Sequence, residues 1–89
     1  MKAIITVVGR DTVGIISKTS ALLAERNINI LDITQSVLGD IFAMVMYVDI
    51  SACSIPFTDF VDEMDALGRS CSLAIHTMHE DIFNSMHRI

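Results

Sequence analysis

The chain has 89 residues, 52% of them hydrophobic, with six Lys and Arg against eleven Asp and Glu for a formal net charge of −5. That length makes one domain, and so few, scattered basic residues exclude nucleic-acid binding, which rests on clustered Lys and Arg neutralising phosphates. No run approaches the ~20 apolar residues that span a bilayer, and no basic, apolar and small-residue sequence marks a secretory leader. A cytoplasmic protein is expected, one that does not engage membranes. Its high apolar content for so short a chain (mean hydropathy +0.54) predicts a dimer or larger assembly.

The first strand is predicted over residues 3–8, where Ile4, Ile5, Val7 and Val8 are apolar on both faces, as in a central strand. It stops at Gly9, and a polar turn leads to Gly14-Ile15-Ile16, which opens a helix predicted over 14–26. Asp11 or Thr12 is placed to cap that helix, and its free amides make a weak anion site. The stripe Ile15, Ile16, Thr19, Leu22 and Leu23 is predicted to face the core, with Asn27 as the C-terminal stop. In the second strand, 29–38, Leu31, Ile33 and Val37 alternate with Asp32, Thr34 and Ser36. Gly39-Asp40 then reads as a two-residue hairpin turn into a third strand, 41–50.

That third strand carries Phe42, Met44, Met46 and Val48 on one face and Ile41, Ala43, Val45 and Tyr47 on the other. Two apolar faces require a cover on each. After a loop over 51–56, Phe57, Phe60, Val61, Met64 and Leu67 define an amphipathic helix over 57–67, which Gly68 is expected to close. Its other positions carry Asp59, Asp62, Glu63 and Asp65, a solvated face. A fourth strand is predicted over 70–78. In the tail, Ile82, Phe83 and Met86 have helical spacing and suit a short helix over apolar surface left by the third strand.

The order βαββαβ predicts an α+β, ferredoxin-like sandwich: a four-stranded antiparallel sheet with both helices on one face and a short C-terminal helical tail. Such a fold names no function. Cys53 and Cys71 form no CxxC pair and read as reduced apolar residues. His76, His79 and His87 complete no metal-ligand cluster, so neither a metal nor another cofactor is expected.

The chain resembles an ACT domain, above all the small stand-alone members of that family. The likeness lies in the apolar first strand followed by Gly9, Asp11 and Gly14, in Ile28-Asn29-Ile30, in Asp32-Ile33-Thr34-Gln35-Ser36, and in the Gly39-Asp40 hairpin. It implies an ACT domain over 1–79 and a helical extension over 80–89. It also implies side-by-side homodimers that bind an amino acid, with Arg10, Asp11, Thr12, Val13, Gly14 and Ile15 meeting the ligand carboxylate. Asn29 and Asp32 of the partner subunit would meet the ammonium group. Many ligand-binding members carry proline where this chain has Val13. A regulatory, non-catalytic role follows from the resemblance, acting on a ligand or on an enzyme in trans; a docking module without a small ligand is the alternative. The loop 9–14 also resembles the phosphate loop of acylphosphatases, with Arg10 and Asn29 in the catalytic positions, but Ile15-Ile16-Ser17 replaces the arginine that follows that loop. Without that electrostatic clamp most of the catalysis is lost.

Overall fold

The computed structural model describes residues 1–10 and 14–86. In chain order it holds strand β1 (Lys2–Gly9), helix α1 (Ile15–Glu25), strands β2 (Asn29–Leu38) and β3 (Ile41–Asp49), helix α2 (Phe57–Ser70), strand β4 (Ala74–His79) and helix α3 (Glu80–Met86). The strands form one antiparallel sheet in the order β2-β3-β1-β4. The βαββαβ arrangement is therefore the one the residue pattern predicts. β1 lies between β3 and β4, a position that suits a strand with apolar residues on both faces.

The core forms on one face of the sheet. Ala3, Ile5 and Val7 of β1 meet Phe42, Met44, Met46 and Val48 of β3, none more than 4% exposed. Ile15 and Leu23 of α1 and Phe60 and Met64 of α2 join the same cluster, so both helices cover this one face. Residues four apart share a helix face, which is why Thr19 is buried with Ile15 and Leu23. Its hydroxyl donates to the Ile15 carbonyl at 2.8 Å, so no polar group is stranded there. Ile16, expected in this stripe, lies at its margin and is 38% exposed.

Both long helices end in the same hydrogen-bonded pattern. Asn27 takes a left-handed φ of 60°, the stop its side chain predicts. Ile28 N–H donates to Leu23 O at 2.9 Å and Asn27 N–H to Ala24 O at 3.1 Å. At the end of α2 it is Ser72, at φ 56°, that plays this part, with Leu73 N–H on Gly68 O at 2.8 Å. Gly68 therefore does not close the helix: α2 runs two residues further, to Ser70, and β4 starts at Ala74 rather than at residue 70. The glycine serves packing instead. A Cβ there would stand 2.9 Å from Leu73 O and 3.2 Å from Ile75 Cγ1, so its absence lets α2 lie close against β4.

A second departure concerns β2. Strict alternation would bury Leu31 with Ile33 and Val37, yet Leu31 is 43% and Val37 65% exposed. The register slips between Ile30 and Asp32, which pair with Val48 and Tyr47. This bulge leaves Leu31 as the extra residue and lets Ile30 and Ile33, three apart, both pack on the core. Val37 stays exposed because it sits near the far end of an edge strand.

Away from the core, Arg26 after α1 grips Glu63 of α2 through two parallel bonds, Nε to Oε1 at 2.6 Å and Nη2 to Oε2 at 2.5 Å. This pairing holds the Glu63 carboxyl below its ordinary pKa and raises that of Arg26. On the opposite face of the sheet, α3 lies against β1 and β4. Tyr47 on β3 donates its hydroxyl to Glu80 of α3 at 2.5 Å, which raises the tyrosine pKa. The tail helix thus covers part of the second face, Ile4 included, at 8% exposure.

The packing role of Gly68 has a testable sign. Helix propensity alone favours alanine over glycine by about 1 kcal/mol. We expect Gly68→Ala to lower stability instead, by about 1–3 kcal/mol as overpacking does, measured by denaturant unfolding.

Candidate functional site

The turn between β1 and α1 is built by backbone geometry. Gly14 adopts a left-handed φ of 76° and occupies the N-cap position of α1, with no side-chain hydrogen bond to the helix. A residue with a Cβ rarely takes that conformation, which accounts for glycine here. The first helical bond runs from Lys18 N–H to Gly14 O at 2.9 Å. The amides of Ile15, Ile16 and Ser17 therefore have no acceptor within the helix and sit at its positive end.

Among the described residues, the space above Gly14 is open: the one heavy atom within 4 Å of a Cβ placed there is Lys18 Cε, at 3.9 Å. Lys18 is the residue that pattern reading passes over. It belongs to the polar side of α1 by spacing, yet its stem borders the turn and its ammonium has no carboxylate partner among the described residues. Its Nζ approaches Cys71 Sγ at 4.0 Å. One helical turn beyond a glycine cap is a position from which a lysine can reach the cap, and that offset was the available signal.

The other expected site residues are placed as follows. Ile15 is 4% exposed, so its side chain belongs to the core and its backbone amide is the group it can contribute to a site. Arg10 extends from the end of β1 toward the β2–β3 turn, with Nη1 3.7 Å from Asp40 Oδ2 and both side chains more than 70% exposed. So exposed a pair adds little stability, and the guanidinium is free to rearrange. Asp11, Thr12 and Val13 lie outside the described residues, as does the proposed capping by Asp11 or Thr12. Gly9 has a packing reason of its own, since a Cβ there would fall 2.2 Å from Leu73 Cδ2.

Asn29 and Asp32 are exposed, and Asp32 Oδ1 accepts from the Ile33 N–H at 2.9 Å. They sit at the other end of the sheet from the Gly14 turn. Asn29 pairs with Asp49, itself opposite Lys2, whereas Gly9 pairs with Phe42, itself opposite Val37. The seven residue steps of β1 from Lys2 to Gly9 span roughly 24 Å. One protomer therefore does not bring Asn29 and Asp32 to the turn. Nor does it join Arg10 to Asn29, the pairing an acylphosphatase-like site needs.

Among the described residues, no other chemistry is assembled nearby. Both cysteines are free thiols. Among the described residues, no group of three His, Cys, Asp or Glu side chains is placed to hold a metal ion. No helix of the described residues is long and apolar enough to cross a membrane.

Comparison with known proteins agrees with the fold. The ACT domain model matches residues 2–74, and the chain belongs to the ACT domain family. It is similar along its whole length to a UPF0237 protein of Clostridium acetobutylicum, with 46% identity over 89 residues covering all of both chains. A UPF0237 protein of Methanocaldococcus jannaschii is 41% identical over 88 residues, 99% of this chain and 98% of that one. Among solved structures, an ACT domain protein from Streptococcus pneumoniae superposes with a TM-score of 0.82 at 41% identity, covering 93% of each chain.

The left-handed turn predicts a graded response to substitution. Gly14→Val forces a β-branched residue to positive φ, for which we expect a loss of about 1–2 kcal/mol. Gly14→Asn, a residue that tolerates this conformation, should cost less than half as much. Thermal unfolding of both variants measures the difference, and equal losses would contradict a conformational role for the glycine.

Proposed function

We propose that this ACT domain is a non-catalytic regulatory module that binds an amino acid at the seam of a homodimer. The observation that carries the reading is the Gly14 turn, where an open glycine cap presents the amides of Ile15, Ile16 and Ser17. Those amides and the helix dipole suit a carboxylate, and the Lys18 ammonium adds a second positive group beside it.

A zwitterion also needs a counterpart for its ammonium group. The ten-residue edge strand β2 supplies one by symmetry. Its outer edge is unpaired, with Leu31 and Val37 exposed along it, the kind of edge that recruits a further strand. A two-fold pairing about the middle of β2 sets Asn29 of the partner subunit opposite Leu38 and Asp32 of the partner subunit opposite Gln35. This carries the polar pair to the end of the sheet where β1 gives way to the turn. α1 packs against β2, the strand that forms the seam in this reading. Isologous pairing of this kind yields two equivalent sites per dimer.

Residues 1–79 form the ligand module in this reading and 80–89 its extension. Regulation of an enzyme is then exerted in trans, through the ligand-bound dimer.

Calorimetric titration with the twenty amino acids tests the proposal, with the mass recorded by light scattering in the same buffer. Saturable binding of one or two of them is expected, weakened at least tenfold in Gly14→Val and in Lys18→Met, both still folded by circular dichroism. Absence of binding by an intact assembly would overturn the ligand reading in favour of a docking role.

A further inference from the structure

We propose that the uncovered half of the second sheet face is an interface with another copy of this chain, separate from the β2 edge. Among the described residues, α3 covers only the β1–β4 side near Ile4 and Tyr47. Beyond it the two central strands stand bare: Val8 of β1 is 42% exposed, and Ile41 and Val45 of β3 are 42% and 44%. Register places all three on the face opposite the helices, with Leu38 of β2, 73% exposed, beside Ile41. Ile82 and Met86, four apart on the outer side of α3, are 55% and 65% exposed.

These six side chains expose on the order of 500 Å² of apolar surface, at the upper end of the largest patch on a typical monomer. At the ~65% apolar share of an interface core, that corresponds to roughly 800 Å² per partner, the size of a standard stable interface. The bare half of the sheet alone would fall short of that figure; the sum is reached only with α3 included.

Shape and charge select a second copy as the occupant. The face holds a flat apolar floor beside a raised apolar helix. A two-fold axis between them lays the α3 ridge of each copy on the floor of the other, which is the self-complementarity that an isologous contact requires. Four carboxylates, Asp59, Asp62, Glu63 and Asp65, lie on α2 in the opposite layer. Face-to-face association keeps these four outermost, and the carboxylates it brings nearest the contact are Glu80 and Asp81 at the start of α3. Few ionisable groups touch this face: His76 lies beside Thr6, Asp32 stands opposite Tyr47 at the β2 edge, and Arg10 pairs with Asp40 at its end.

The test is the mass of the full chain by light scattering and sedimentation. Val45→Glu places a charge in the middle of the floor and should halve the mass of the wild-type assembly. Ile82→Glu, on α3 and outside the sheet, should do the same without touching a strand, which guards against a folding defect in the first variant. The edge variant Leu31→Lys/Val37→Lys reports on β2 pairing separately. With both interfaces formed, each class of variant halves the mass and their combination leaves the 9.8 kDa chain alone. A wild-type mass unchanged by both Val45→Glu and Ile82→Glu, with native circular dichroism, would overturn the face interface whatever the edge variant does. An unchanged mass in the edge variant alone would count against β2 pairing and leave the face interface standing.

Discussion

Burial of one sheet face beneath two helices is the constraint on which the rest of this structure depends. Phe42, Met44, Met46 and Val48 project from β3 into the same cluster as Ile15, Leu23, Phe60 and Met64. In a chain of this size few apolar contacts are dispensable, and the backbone is bent to serve them. The bulge at Leu31 returns Ile33 to the core after Ile30, and Gly68 lets α2 settle against β4. Both helices are closed off by left-handed residues whose amides satisfy the last carbonyls. The turn at Gly14 inherits its position from this scaffold, because Ile15 is anchored in the core immediately beyond it.

The same economy leaves surface uncovered. β2 has an open edge, and the second face of the sheet is only half covered by α3. Neither is a defect if each meets another copy of the chain. The two surfaces also differ in kind. The edge offers backbone hydrogen bonds flanked by polar side chains, which suits a shared polar ligand. The face offers mainly aliphatic area, which suits permanent association.

Much of this fold is legible in the sequence because its periodicities are strong. Phe57, Phe60, Val61, Met64 and Leu67 can hardly be anything but one side of a helix, and Gly39-Asp40 between apolar runs marks a hairpin. The misreadings have local causes. Gly68 looks like a helix stop because glycine commonly is one, whereas here a carbonyl and an isoleucine occupy the space of its missing Cβ. Ser72, an unremarkable residue by composition, takes the left-handed position instead. The bulge at Leu31 was hidden because a one-residue register shift leaves no mark on composition. For the site, Gly14 could be singled out from sequence; Lys18 offered only its one-turn offset from that glycine, and its relevance depends on where its stem lies. Asn29 and Asp32 are legible as polar positions on a strand, and the resemblance already assigns them to a partner subunit; the strand register adds that within one chain they lie at the far end of the sheet from the turn.

The central claim is that one ligand site is shared between two protomers across the β2 edge, and subunit mixing tests it most directly. Gly14→Val spoils the turn, and Asn29→Ala/Asp32→Ala spoils the strand; neither variant alone should bind the amino acid that the wild type binds. Mixing the two by unfolding and refolding forms dimers in which one site combines both lesions and the other combines both intact halves. Binding should return, at one ligand per mixed dimer. Failure to recover binding in demonstrably mixed dimers would contradict a shared site and confine any ligand to a single chain.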